Sequence, residues 1–213
     1  MKRHFIALLV FLLGFASYQV NAQSQFRYRA QLGAGSSGYI DSSVKNTLGY
    51  HAGAQMDWRV SPNSSVFLTT GLMFESKGGG KEEEHGNLKI NAYYLHIPMM
   101  ARIEKNMFRN EDAYKYYAAL GPYLGVGLFG KTKWDDYSYV DEDDKEVEVA
   151  AGKESTFSKS QLRRFDLGLE ANLGVIFYEH LQLELRANMG FLKAFRVGHG
   201  MNQTISISVG YIF

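Results

Sequence analysis

From residue 26 to the end of the chain, apolar and polar positions alternate with a period of two, the mark of a strand with one apolar face. The clearest stretch runs from Leu48 to Val60. Leu48, Tyr50, Ala52, Ala54, Met56, Trp58 and Val60 share one face, opposite Gly49, His51, Gly53, Gln55, Asp57 and Arg59. Ser61-Pro62-Asn63-Ser64 has the composition of a tight turn, after which Val66, Leu68, Thr70, Leu72 and Phe74 resume the apolar face. The same alternation recurs over 27–34, 93–104, 120–128, 165–175, 181–190 and 205–213, so the pattern predicts eight strands. Most reach the roughly 9–11 residues that a tilted membrane strand needs.

The connections alternate in length. Residues 61–64, 105–113 and 178–180 join strands on one side; residues 36–47, 77–89, 131–162 and 193–203 join them on the other. Short turns on one side and longer loops opposite are the habit of outer-membrane barrels. The expected fold is therefore all-β: a closed, eight-stranded antiparallel up-and-down transmembrane β-barrel, with both termini on the short-turn, periplasmic side. No helix of convincing period and no second domain is found.

Alternation alone does not say which face meets solvent. Three features choose lipid outside. The polar face is rich in glycine (Gly49, Gly53, Gly71, Gly121, Gly125, Gly127, Gly168, Gly174), which suits the cramped interior of an eight-stranded barrel and serves no purpose in water. Aromatics gather near strand ends on the apolar face. Tyr28, Trp58, Phe177, Tyr211 and Phe213 fall at the periplasmic rim, and Tyr50, Phe74, Tyr93 and Phe165 fall toward the outer rim, as two lipid-interface girdles would require. The chain also ends in Val209-Gly210-Tyr211-Ile212-Phe213, a closing strand similar to the signal read by barrel-assembly machinery.

This facing puts Arg27, Arg29, Asp57, Arg59, Glu75, Arg102, Glu104, Asp166, Glu170, Glu184 and Arg186 in a narrow lumen. Buried charges must be paired or hydrogen-bonded. Acids and bases are nearly balanced, so a cross-strand network that plugs the barrel is expected. Eight strands leave no aqueous channel of the kind a 16-stranded porin has.

Composition narrows the picture further. A chain of 213 residues fits one domain. A net charge of +1 without a long basic run argues against a nucleic-acid partner. With no Cys there is no disulfide, no thiolate metal site and no thiol nucleophile. At the N-terminus, Lys2 and Arg3 precede an apolar run from Phe5 to Phe15 that is too short to span a bilayer, and Val20-Asn21-Ala22 supplies a cleavage site before Gln23. The expected division is a signal peptide over 1–22 and an outer-membrane barrel domain over 23–213.

Candidate chemistry is sparse. Residues 131–162 are the longest and most acidic connection, with Asp135, Asp136, Asp141, Glu142, Asp143, Asp144, Glu146, Glu148 and Glu154 beside Trp134, Tyr137 and Tyr139. Asp141 and Asp143 begin a calcium-loop spacing, but Lys145 occupies the next ligand position and the turn glycine is missing. Glu82-Glu83-Glu84-His85 follows Gly78-Gly79-Gly80 and reads as a charged loop tip. His51, His85, His180 and His199 are scattered, and none shares a strand face with Ser and an acid. His96 points inward as a hydrogen-bonded lumen residue. No catalytic, cofactor-binding or metal residues are assigned, and no cofactor is expected.

Several segments resemble one family. Tyr94-Leu95-His96-Ile97-Pro98-Met99-Met100, Gly121-Pro122-Tyr123-Leu124-Gly125, Phe165-Asp166-Leu167-Gly168-Leu169 and Leu181 to Gly190 are similar, in this order, to successive strands of the PorT-like outer-membrane β-barrel family of Bacteroidetes. The departures are His96, where the family more often has Glu, and Ala187, where an aromatic is common. The resemblance covers roughly residues 23–213 and implies an eight-stranded outer-membrane barrel with no catalytic or cofactor residues to transfer. The family name derives from a member linked to type IX secretion. The expectation is a non-enzymatic integral barrel of the outer membrane, structural or partner-binding through extracellular residues 131–162 and 77–89. Its partners would be outer-membrane lipid, the barrel-assembly machinery at the C-terminal strand, and an extracellular or periplasmic protein. The alternatives are an accessory component of a secretion system, contacting periplasmic partners through 105–113, and a small lipid-modifying barrel enzyme.

Overall fold

The computed structural model describes residues 25–40, 44–83, 86–108, 111–140, 146–158, 162–196 and 200–213. The expected signal peptide, Glu84, His85, the Asp141–Asp144 run and His199 lie outside the described residues. The described residues are strand almost throughout: β1 (Phe26–Ile40), β2 (Lys45–Arg59), β3 (Val66–Glu83), β4 (Gly86–Phe108), β5 (Glu111–Trp134), β6 (Tyr137–Val140), β7 (Glu146–Val149), β8 (Gly152–Ser155), β9 (Phe165–Phe177), β10 (Leu181–Lys193) and β11 (Met201–Ile212).

Eight of these strands form an antiparallel up-and-down ring in the order β1, β2, β3, β4, β5, β9, β10, β11. The ladder between the last strand and the first, from Arg29 opposite Ile212 to Ile40 opposite Met201, returns the ring to its start. No strand of the ring keeps a free edge, which matters most where no water can satisfy unpaired backbone groups. β8 adds a short outer ladder to β5, and β6 and β7 form a separate hairpin beyond it.

Burial is inverted relative to a water-soluble sheet. Leu32, Leu48, Leu120, Phe165, Leu173, Ile205 and Ile207 are exposed, while Arg29, Asp57, Arg102, Glu170 and Arg186 are each at most 1% exposed. The apolar face of every ring strand points outward and the polar face inward, as the glycines and aromatics implied.

The strands are longer than the alternation suggested. Residues 77–83 and 86–89 are the paired arms of a hairpin between β3 and β4, with Lys77 opposite Ala92 and Glu83 opposite Gly86, rather than an open loop. Residues 105–108 and 111–113 likewise extend β4 and β5, so the short-side connection shrinks to 109–110. The 131–162 connection is itself structured by β6, β7 and β8. The turn after β9 carries two non-glycine residues in the left-handed region, Tyr178 (φ 51°) and Glu179 (φ 64°).

Candidate functional site

Among the described residues, buried polar chemistry is concentrated in the interior of the ring. Its side chains come from alternate positions of all eight strands and fall into two charged layers. Toward the turn side, Arg27 of β1 reaches Asp57 of β2 (2.9 Å) and Glu104 of β4. Arg29 donates to Asp57 (3.2 Å) and to Gln55. Arg102 donates to Glu104 (2.7 Å) and lies 3.6 Å from the Tyr117 ring centre. The Tyr117 hydroxyl donates to Glu184 (2.8 Å), and the Thr69 hydroxyl to Asp57 (2.6 Å). Three arginines thus meet two carboxylates, Asp57 and Glu104, with Gln182 bridging Arg29 and Arg102.

The second layer lies toward the far end. Arg186 of β10 pairs with Glu75 of β3 and with Glu170 of β9 (2.7 Å). His96 of β4 stands between the same two carboxylates, 3.3 Å from Glu75 and 2.6 Å from Glu170. Its ring stacks on Tyr123 at 4.3 Å. Lys77 pairs with Glu75 (3.5 Å) and Asp166 (3.4 Å), and Asp166 also accepts from the Tyr123 hydroxyl (3.0 Å) and Asn202 (2.9 Å). Between the layers sit Met73 and Met100, which receive long amide contacts from Gln31 and Asn172. Charges removed from water are tolerated here because nearly every one has a partner from another strand.

The far mouth is closed by apolar packing. Phe157 and Leu162, between β8 and β9, are buried with Tyr39, Ile90, Ala92, Tyr94 and Ala194, and Val44, Leu88 and Phe195 pack around them. Phe157 meets Tyr94 edge-on at 5.5 Å and carries the Arg164 guanidinium at 5.1 Å. The Thr156 hydroxyl donates to the Asn91 carbonyl (2.9 Å), and the Arg163 amide to the Ala194 carbonyl (2.8 Å), which pins this cap down. Thr156, Phe157 and Leu162 of the long acidic connection are therefore committed to covering the ring.

Of the expected lumen charges, Arg59 stands apart. It is half-buried at the turn-side mouth, where its guanidinium lies 5.0 Å from the Phe67 ring centre and donates to the Pro62 carbonyl (3.2 Å). His96, read from the sequence as a hydrogen-bonded lumen residue, joins the network, and so do Lys77, Gln55, Gln182, Asn202, Tyr117 and Tyr123, which were not singled out. The parity of each position along its strand was the signal available for these.

Glycine makes this filling possible. A Cβ on Gly53 would lie 2.7 Å from the Met73 sulfur, one on Gly168 would lie 2.7 Å from the Tyr123 ring, and one on Gly174 would collide with Tyr117. Each bulky inward side chain is thus seated over a bare backbone position on a neighbouring strand.

Outside, aromatics cluster at both ends. On the turn side, Phe26 stacks on Trp58 (6.5 Å), Tyr211 meets Phe213 (5.2 Å), and Tyr114 contacts Phe177 (6.2 Å) and Tyr178 (5.3 Å). Tyr28 is exposed on the same side. Toward the far end, Tyr93 gathers Phe129 (4.8 Å), Phe74 (5.6 Å) and Tyr50 (6.3 Å), and Phe165 is exposed at the start of β9. Phe129 was not singled out from the sequence. An irregularity in β5 pairs Tyr93 with Phe129 but Tyr94 with Gly127, and this places Leu128 and Phe129 consecutively on the outer face.

A family model described as the outer membrane protein beta-barrel domain matches residues 9–196. Among solved structures, the chain is similar to Neisserial surface protein A at 12% identity, covering 89% of this chain and 98% of that one, with a TM-score of 0.47. It is similar to Ail, the attachment invasion locus protein of Yersinia pestis, at 13% identity, covering 88% and 98%, with a TM-score of 0.41. It is also similar to the outer membrane protein OprG from Pseudomonas aeruginosa at 12% identity, covering 88% and 94%, with a TM-score of 0.37. No curated protein matches the chain.

Proposed function

The chain belongs to the outer membrane protein beta-barrel domain family, and on that premise we propose that it is a plugged, non-enzymatic β-barrel that acts through surfaces outside its lumen. The observation that carries this reading is the filled interior. Two layers of ion pairs cross the ring, and Phe157 and Leu162 cover its far mouth. A solute path would require breaking both. In this reading the termini face the periplasm, cleavage after Ala22 releases the signal peptide, the C-terminal strand engages the assembly machinery, and the two aromatic clusters sit at the bilayer interfaces. The β3–β4 hairpin and the β6–β7 hairpin then project from the cell surface as the partner-binding elements.

The test has two arms. Planar-bilayer recording of the refolded chain should show no stepwise conductance, and steady open steps would overturn the plug. Replacing residues 137–149 by a short Gly-Ser linker should leave heat-modifiable folding intact while abolishing capture of an extracellular partner from whole cells. Unchanged capture would overturn the assignment of the hairpin.

The motif resemblance to the PorT-like branch supports a second reading, an accessory part of a secretion system. Its contact surface would be the turn-side rim, where Met107, Phe108, Tyr116 and Tyr178 are exposed beside the 109–110 connection. Loss of export on substitution of Met107 and Phe108 by Ser, with the barrel still folded, would favour it over the first.

A further inference from the structure

We propose that the outer face of β4, β5 and β8, immediately beyond the far aromatic cluster, binds the phosphate-bearing headgroup of an anionic lipid. The proposal rests on the reading above that the apolar outer band lies in a bilayer.

The outward positions along β4 and β5 change character in order. Leu95 and Val126 are followed by Tyr93 beside Phe129, then by Asn91, Lys131 and Ser155 in one cross-strand row, then by Lys89, Lys133 and Lys153 in the next. All four lysines are exposed. Aliphatic, aromatic and then cationic is the sequence of environments met on leaving a hydrocarbon core through its interface, and lysine stems reach back along apolar surface to place their ammonium groups at headgroup level.

The lysine row is costly by itself. Lys89, Lys133 and Lys153 are direct partners across three adjacent strands, which sets neighbouring Cβ atoms about 5 Å apart and their like charges against one another. Among the described residues none of the four lysines is ion-paired. The nearby acids are turned elsewhere. Asp135 accepts from Asn87 (2.9 Å), Asp136 accepts from the Ala151 amide, and alternation puts Glu154 on the opposite face of β8. Three aligned cations with no ion-pair partner among the described residues, at the height of an interface, are complementary to a lipid phosphate. On the other side of the ring, β11 presents Gln203 and Ile205, and β10 presents the single exposed Lys193 opposite Met201, so among the described residues no comparable cross-strand lysine row stands there.

The test uses the full chain refolded into phosphatidylcholine bilayers that carry a trace of spin-labelled phosphatidic acid or spin-labelled phosphatidylcholine. Electron spin resonance reads the share of each label held at the protein surface. At low salt the wild-type chain should prefer phosphatidic acid by about five-fold, and K89Q/K133Q/K153Q should reduce this to less than about two-fold. K105Q/K115Q, on the opposite rim, should leave the preference in place. Equal retention of the two labels by the wild type, or an unchanged preference in the triple variant, would overturn the proposal. Should the triple variant fold poorly, K133Q alone, at the centre of the row, must still lower the preference. A chain that does not insert at all would instead sink the barrel reading, before any lipid selectivity is measured.

Discussion

His96 and Glu170 meet at 2.6 Å across the interior although a whole strand, β5, separates them in the ring. Arg186 shares the same Glu170 oxygen at 2.7 Å and also pairs with Glu75. One guanidinium therefore holds two carboxylates that water cannot reach.

Arg186→Met should accordingly be among the most damaging single changes in the chain. It leaves Glu75 and Glu170 facing one another without their common cation, a loss on the order of 3–5 kcal/mol for a broken buried pair. The measurement is the urea midpoint of the refolded protein in lipid vesicles. Adding Glu75→Gln and Glu170→Gln to the same variant should recover most of the loss. A single variant within about 0.5 kcal/mol of wild type would mean that the layer does not hold the barrel together.

Leu185→Arg tests which solvent the outer face meets. Leu185 lies well inside β10, between Leu173 and Ile207, and is exposed. An arginine at the middle of a hydrocarbon layer costs about 2–4 kcal/mol, whereas on a water-facing strand it would be nearly neutral. Folding free energies measured in bilayers separate the two outcomes.

The parts legible from the sequence were those governed by local alternation. Leu48 to Val60 declared both faces of β2, and glycines opposite leucines declared which face is crowded. Three features were not legible because they depend on distant pairing. The Gly78-Gly79-Gly80 stretch lacks alternation, yet it is held as strand by partners at Lys89–Asn91 and Lys45–Asn46. Phe157 is the lone apolar residue of the polar stretch 152–161, and only the folded ring supplies Tyr94 and Ile90 to bury it. Phe129 is hidden by the irregularity in β5, because two adjacent outward residues break the parity on which the reading relies. Within the charge layers, residue types and faces could be inferred, but which acid meets which base depends on the register of strands far apart in the chain.

The Tyr93–Phe129 contact should be measurable as a pairwise coupling. The rings are 4.8 Å apart on the outer face. A double-mutant cycle with Tyr93→Leu and Phe129→Leu should return about 0.5–1.5 kcal/mol of interaction beyond the single losses. Additive losses would show that the two rings serve the interface independently.

Gly174→Ala is the smallest substitution that tests the packing of the interior. A Cβ there would strike the ring end of Tyr117 and lie 2.5 Å from the Leu183 carbonyl oxygen. Tyr117 cannot retreat without cost, because its hydroxyl donates to Glu184 at 2.8 Å and Arg102 lies against its ring. One added methyl should therefore destabilise by about 1–3 kcal/mol, the range for overpacking a filled core, although alanine ordinarily suits a strand better than glycine. Unfolding in vesicles gives the magnitude, and the Tyr117 near-ultraviolet dichroism should change in the same variant. If Gly174→Ala were instead neutral or stabilising, the interior would contain free space beside Tyr117, and a filled lumen could no longer explain why glycine recurs on the inward face.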